Sequence, residues 1–368
     1  MKKQNLFIGL AVIIIIVLVV IFSHKGEKAA DDHILTVGAA LPLSGPTAQF
    51  GEIFKDGLEK GLAGDPNIKV IYEDSKGDAT GATAAFQKLV TVDHVDLVIS
   101  NLSKPSVPLV PLAKQSKVPL LFSLVAAQTA TNKDNDYAYR IFWTTEQTGN
   151  SFADRVIEQG IKSVAVLQAK DEASQLNADT IIPRLEAAGI KVTYETFQGT
   201  DTDFRTQLLK VKEANPDVLA IITVPAGQWK NLVTQIHDAG ISKPIYDVLG
   251  VFLNPGTPEA LGDLANGVYT ITTPFALGDY HAEEKAEIIK ATGKEPAGYT
   301  PLGYDTASML KQMVAANATD RSSIVNFLKG LKSFDGITST YTVDDSHNIS
   351  AAFVRAQFVN GKTIKSDK

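Results

Sequence analysis

Residues 95–123 read VDLVISNLSKPSVPLVPLAKQSKVPLLFS. The opening VDLVIS (95–100) is a nearly unbroken apolar run. That is the pattern of a strand buried on both faces, and so of a parallel sheet covered by helices. The run gives way to Ser100-Asn101-Leu102-Ser103-Lys104-Pro105-Ser106, rich in small and hydroxyl side chains. A helix is predicted over 104–116, with Pro105 near its first turn, where a missing N–H is harmless. A second strand is predicted over 118–123. Strand–helix–strand alternation of this kind means parallel strands with helices on both faces.

The alternation extends in both directions. Upstream, the pattern predicts a strand at Ile34–Leu41, a helix over 47–63 with Phe54, Leu58 and Leu62 at i+4 spacing, a strand at Ile68–Tyr72, and a helix over 79–92 with Asp78 as N-cap. Downstream it predicts helices over 148–159, 172–188, 202–213 and 227–239, alternating with strands over 163–168, 190–197, 217–223 and 244–249. Gly189 and Gly240 stand where helices stop. DVLAIITV (217–224) repeats the buried-strand pattern. Two such series predict an α/β protein of two doubly wound, Rossmann-like lobes, first joined through Tyr139–Thr145. After a strand over 268–272 come helical stretches near 281–292, 300–316 and 320–330, then β-like pieces at 337–343 and 351–359. A helix-rich block in that place predicts that the chain returns to the first lobe, leaving a cleft between lobes connected more than once.

Composition agrees with this layout. A chain of 368 residues has the length of two domains, and 44% apolar with 21% charged residues is ordinary globular usage. The balance of 35 Lys+Arg against 41 Asp+Glu, a net −6, argues against a nucleic-acid partner, which calls for a basic face. There are no cysteines, which removes disulfides, thiolate catalysis, Cys-ligated metals and lipidation through Cys.

The N-terminus carries an export signature. Lys2 and Lys3 precede a 17-residue apolar run, Leu6 to Phe22, interrupted by Gly9. The cationic end stays in the cytoplasm, and the chain beyond the apolar run is exported. Lys28-Ala29-Ala30 makes a poor small-x-small cleavage site, so an uncleaved anchor is expected, with a cleaved signal peptide as the alternative. Residues 1–33 are thus a membrane segment with a polar linker; without the four lysines and three acids before His33, the exported part has net charge −7.

No catalytic signature is present: G-x-S-x-G, the Walker loop, G-x-G-x-x-G and H-E-x-x-H are all missing. The histidines (His24, His33, His94, His237, His281 and His347) share no i, i+4 face, and the acid pairs Asp344-Asp345 and Glu283-Glu284 read as turns and helix starts. Neither a metal nor a cofactor is expected. The informative stretches are strand-to-helix loops, where open parallel sheets bind ligands. Three in the first lobe are rich in small and hydroxyl residues: Leu43 to Gly51, with Ser44 and Gly45; Ser100 to Ser106; and Ser123 to Thr129. Such loops let a ligand reach backbone N–H groups; equally, Ser and Gly cap helices.

The run LTVGAALPLSGPTAQFGEIFKDGLEKGL (35–62) resembles the opening of the branched-chain amino-acid binding proteins of bacterial ABC importers, which are type I periplasmic binding proteins. The resemblance continues over 34–360, through IYEDSKGDATGATAAFQKLV (71–90), the stretch 95–123 and TPLGYDTASML (300–310). It implies two α/β lobes joined by three crossings and closing on a small ligand by hinge motion. It places lobe one at 34–143 and 274–340, and lobe two at 144–273 and 341–368. It implies a monomeric, extracytoplasmic solute-binding protein, not an enzyme, that delivers an amino acid-like molecule, amide or organic acid to an ABC permease in the membrane. A sensor reporting ligand to a separate protein is the alternative, because one fold serves both roles.

The resemblance also implies site residues. Phe50 stands where the family has an aromatic over the ligand, and Ser103, Lys104 and Ser106 cover the loop that holds a ligand carboxylate. Ser123, Ala126 and Ala127 cover the next loop, with Ala127 where amino-acid binders offer a threonine to the ammonium. The reading of the loops and aromatics adds Ser44 and Tyr299 to the first-lobe candidates; Ala226 and Leu249 are the second-lobe candidates. Leu249 occupies the place of the carboxylate that pairs with the ammonium, and the tyrosine expected near Ala173–Gln175 is missing. A buried ammonium without a counter-charge is costly. The expected ligand is therefore neutral or anionic, with an apolar body held by Phe50, Trp229, Phe252 or Tyr299, unless Asp247 supplies the missing charge. Each of these aromatics could instead pack in a core, and Lys104 could be a solvated lysine at a helix start.

Overall fold

The apolar runs form strands at the centres of two sheets. The computed structural model describes residues 33–253, 257–277, 281–292 and 299–366. The first series is β1 (Leu35–Leu41), α1 (Ala48–Leu62), β2 (Ile68–Asp74), α2 (Ala79–Thr91), β3 (Leu97–Asn101), α3 (Ser103–Ser106), α4 (Leu109–Ser116), β4 (Leu120–Ser123) and β5 (Ala138–Ile141). These strands pair in parallel in the order β2-β1-β3-β4-β5. β3 is buried along its whole length. β1 sends Val37, Ala39 and Leu41 into one core and Ala40 into the core on the opposite face, so helices cover both sides. Asp78 caps α2, accepting from the Gly81 N–H at 2.8 Å. The helix predicted over 104–116 is two pieces, because Pro108 has no N–H with which to continue α3.

The second series is α5 (Thr145–Glu158), β6 (Ser163–Ala169), α6 (Glu172–Ala187), β7 (Lys191–Phe197), α7 (Arg205–Ala214), β8 (Val218–Ile222), α8 (Ala226–Asp238), β9 (Ile245–Asp247), α9 (Thr257–Leu261) and β10 (Tyr269–Thr272). Its parallel order is β7-β6-β8-β9-β10. Then follow α10 (Ala282–Thr292), α11 (Thr300–Ala315) and α12 (Arg321–Gly330). α11 packs on α1 with backbones in direct contact: a Cβ on Gly57 would lie 2.1 Å from the Thr300 carbonyl oxygen, and one on Gly303 2.4 Å from that of Phe54. The chain has thus returned to the first lobe.

Five short strands end the chain: β11 (Ser333–Asp335), β12 (Thr340–Val343), β13 (Asn348–Ala351), β14 (Val354–Val359) and β15 (Lys362–Lys365). β11, β12 and β13 extend the first sheet, with β13 parallel to β5. β14 is antiparallel to β10 and, with β15, extends the second. Among the described residues the chain therefore passes between the sheets three times: after β5, after β10 and at Ala352-Phe353.

Two expectations are corrected. Residues 341–351 join the first sheet, not the second lobe. Tyr341, buried, donates to Asp305 of α11 at 2.6 Å, and Arg140 of β5 donates to the Asn348 side chain at 2.9 Å. These bonds hold β12 and β13 on that edge. The connector expected at Tyr139–Thr145 begins inside a strand, because β5 is wholly buried. The apolar run Leu6–Phe22 and residues 23–32 lie outside the described residues. Among the described residues no helix is long and apolar enough to cross a membrane.

Candidate functional site

The carboxyl ends of β3 and β4 carry the loops that the sequence singles out. Ser103, Lys104 and Val107 after β3, with Ala126, Ala127 and Thr129 after β4, line one wall of a recess of about 440 Å³. Thr145, Asp171 and Leu176 line the other wall. A smaller recess of about 130 Å³ shares Ala126 and Thr145 and is walled by Phe142, Trp143 and Tyr299 against Val224, Leu249 and Val251. Together they form one cleft between segments of the two sheets, at the strand ends where open α/β folds take ligands.

The first-lobe loops are held firmly. Leu102 and Leu124, each the first residue past its strand, have φ of 65° and 59°. A non-glycine residue adopts such values only where its surroundings impose them. The Ala127 N–H donates to Ser103 Oγ at 3.2 Å. Arg140, fully buried on β5, donates to the carbonyls of Val125 at 3.1 Å and Ala127 at 2.7 Å, and to Thr131 Oγ1 at 2.9 Å. Burial lowers its pKa to about 10, so it remains a cation at neutral pH.

Aromatic rings line the deep end. Phe142 stacks on Trp143 with centroids 3.9 Å apart, and Tyr299 lies 6.2 Å from Phe142 and 6.1 Å from Phe50. Burial pushes the Tyr299 phenol well up, so it stays protonated. The charged groups of the lining are Lys104 and Asp171. Lys104 is exposed and, among the described residues, makes no ion pair. Asp171 caps α6, accepting from Ser174 N at 2.9 Å and from Ser174 Oγ at 2.8 Å, one bond to each carboxylate oxygen.

The structure gathers some of the expected residues and separates others. Ser103, Lys104, Ala126, Ala127, Leu249 and Tyr299 line the cleft. Phe50 reaches it only through its contact with Tyr299. Ser44 is exposed and donates to Asp74 at 2.5 Å. Ser106 is buried beneath the loop, sharing a hydrogen bond with Ser100 Oγ at 2.8 Å and donating to the Asn101 carbonyl at 3.0 Å. Ser123 is fully buried, and Ala226 begins α8; neither lines the cleft. Trp229 is a core residue: fully buried, edge-on to Phe252 and donating to the Thr223 carbonyl at 2.7 Å. Phe252 lines a different cavity.

Asp247 does not supply the missing charge. Its carboxylate turns into its own loop, accepting from Leu249 N at 3.2 Å, Gly250 N at 3.0 Å, Phe252 N at 3.2 Å and Thr270 Oγ1 at 2.8 Å. Burial outweighs these bonds and raises its pKa to about 6. Its role is to position Leu249 and Val251 on the cleft wall. Sequence reasoning missed Phe142, Trp143, Thr145, Thr148, Asp171, Val224 and Val251. The strand-to-helix rule, applied to β6 and β8 as it was to β3 and β4, would have found Asp171 and Val224. The cleft holds no nucleophile–base pair, and no group of three or more His, Cys, Asp or Glu is placed to hold a metal among the described residues.

Comparisons with known proteins agree with this geometry. The chain matches the periplasmic binding protein family pattern over residues 34–362. The Leu/Ile/Val-binding protein homolog 3 of Brucella melitensis is 23% identical over 346 residues, which cover 90% of this chain and 93% of that protein. A branched-chain amino acid transporter substrate-binding protein of Streptococcus pneumoniae, solved with isoleucine, has the same fold, with a TM-score of 0.76, 21% identity and coverage of 89% of this chain and 97% of that one. So does a solute-binding protein of an ABC transporter from R. palustris solved with benzoate, at a TM-score of 0.75, 20% identity and coverage of 90% and 95%. The chain therefore belongs to the periplasmic binding protein family, with the fold of its solved relatives.

Proposed function

We propose that the chain carries an organic acid with an apolar body, aromatic or branched, to an ABC permease, and that it does not require an α-ammonium group on its ligand. The observation that carries this reading is the distribution of charge in the cleft. Lys104 stands at one end, and the other end is walled by Phe142, Trp143, Tyr299, Leu249 and Val251. A carboxylate at Lys104 would leave its apolar body among the rings. An ammonium would meet Leu249 and Ala127, and both oxygens of Asp171 already accept hydrogen bonds at its helix cap. That the fold accommodates benzoate in one relative and isoleucine in another makes both classes fair competitors.

Titration calorimetry with benzoate, branched aliphatic acids, leucine and isoleucine tests this. The acids should bind, and Lys104→Met should weaken them about tenfold or more, the worth of a charge-assisted hydrogen bond. Tight binding of leucine, lost in Asp171→Ala, would overturn the reading. Export, with Leu6–Phe22 as anchor or signal, belongs to the same proposal. Protease accessibility on intact cells checks it: the folded part should be cleaved from outside.

A further inference from the structure

We infer that Arg140 sets the charge preference of the cleft. From beneath the loop after β4 it holds the carbonyls of Val125 and Ala127 away from the ligand, and so turns that loop into a receptor for an anion. This rests on the carrier reading above and names the residue that makes the site select an acid.

Arg140 does not touch the cleft. It is fully buried and stands outside the lining, so it acts as a positioning residue. Its Nη1 donates to both carbonyls, at 3.1 Å to Val125 and 2.7 Å to Ala127. Its Nη2 and Nε are held at the other side, by Thr131 Oγ1 and Asn348 Oδ1, each at 2.9 Å, and Thr131 Oγ1 donates in turn to Asn348 Oδ1 at 2.7 Å. A planar guanidinium fixed on both sides fixes the carbonyls it holds. The C=O and N–H of a trans peptide point in opposite directions. With the Val125 carbonyl turned to Arg140, the Ala126 N–H points the other way, on the side where Ala126 lines the recess. The Ala126 carbonyl accepts from Thr145 N at 3.4 Å and Thr145 Oγ1 at 3.3 Å, and the Ala127 carbonyl accepts from Ala130 N as well, at 3.2 Å. The carbonyls of residues 125–127 are thus all engaged within the protein. The Ala126 N–H donates to no other group among the described residues. A ligand carboxylate meets a donor there, and a ligand ammonium meets acceptors already in use.

Charge acts in the same direction. The four oxygens bonded to the guanidinium are neutral. Asp344 stands one side chain further off, accepting from Asn348 Nδ2 at 2.7 Å. The loop lies between this buried cation and the cleft, and a buried charge is screened far less than one at the surface.

Titration calorimetry with benzoate, benzamide and benzylamine compares an anionic, a neutral and a cationic head on one ring. The wild type should bind benzoate most tightly. Arg140→Met should weaken benzoate about tenfold or more and benzamide much less, so that the ratio of the two affinities collapses. Arg140→Lys, which keeps a cation beside the same carbonyls, should recover the ratio. A loop that is merely loosened would weaken all three in proportion and leave the ratio unchanged. Amide hydrogen exchange on the wild type decides alone where Arg140→Met does not fold: the Ala126 N–H should exchange fast without ligand and slowly with benzoate bound. An unchanged ratio in Arg140→Met, or an Ala126 amide whose exchange benzoate leaves unaltered, would overturn the role of Arg140 with the carrier reading intact. A wild type that takes benzylamine or leucine in preference to benzoate would sink the carrier reading, and with it the preference assigned to Arg140.

Discussion

Two buried aspartates make the residue scale measurable. Asp247 ties down the cleft-wall loop, and Asp305 holds the turn before β12, accepting from Tyr341 at 2.6 Å and from Thr338 N at 3.3 Å. Burial raises both from 3.8 to about 6. A carboxyl whose pKa is higher folded than unfolded stabilises the fold fully below the unfolded value and loses that contribution as pH rises through the folded one. Stability should therefore fall between pH 4 and 6 and level off above, by about 3 kcal/mol per group. Asp74, Glu158, Asp203 and Asp217 are shifted downward, so their contributions are lost only at lower pH. Urea unfolding across this window checks the claim: Asp247→Asn and Asp305→Asn should each flatten the slope, and an unchanged slope in both would refute it. Residue roles of this kind are poorly legible in sequence. Asp247 reads as a candidate counter-charge because it sits two residues from Leu249; that its oxygens turn back to Leu249, Gly250 and Phe252 depends on a turn the sequence does not announce. Ser103 and Ser106, three apart in one loop, look equivalent until the fold puts one on the cleft and the other beneath Ser100.

Elements are more legible, because burial on both faces leaves a pattern in the chain itself. VDLVIS and DVLAIITV read as central strands, and β3 and β8 are buried throughout. Ends and edges are less so: Pro108 splits the predicted helix, and the short strands β12 and β13 carry nothing that says which sheet edge they join. What positions Tyr299 is also an element-scale matter. It precedes α11, and α11 sits against α1 through Gly57 and Gly303 with no room for a methyl group. Gly57→Ala should push α11 away and cost about 1–3 kcal/mol as an overpacked contact. Because the start of α11 carries one wall of the cleft, ligand affinity should fall as well. Gly227→Ala in α8, where a Cβ meets nothing within 4 Å, is the control and should be neutral or stabilising by up to about 1 kcal/mol. Denaturation midpoints with paired calorimetry would decide it: equal stability of Gly57→Ala and wild type would show that the two helices can slide apart freely.

At the scale of the whole molecule, alternation alone announces two lobes, and the return of the chain to the first announces a multiply connected cleft. The place of the last passage was not legible: it falls at Ala352-Phe353, after β13 has paired beside β5, because side-chain anchors such as Arg140 to Asn348 decide the edge. The walls of the cleft are divided between the sheets, with Lys104 and Ala127 on one side and Asp171 and Val224 on the other. A ligand touching both walls favours whatever arrangement brings them together, by as much as its affinity differs between the two. Small-angle scattering of the chain from His33 onward should then show a radius of gyration that falls on saturation with a bound acid, toward the roughly 20 Å of a compact body of this length. Lys104→Met, at the same acid concentration, should keep the ligand-free value. A full calorimetric signal with no change in scattering would mean that the ligand binds to one wall, and that the lobes do not close on it.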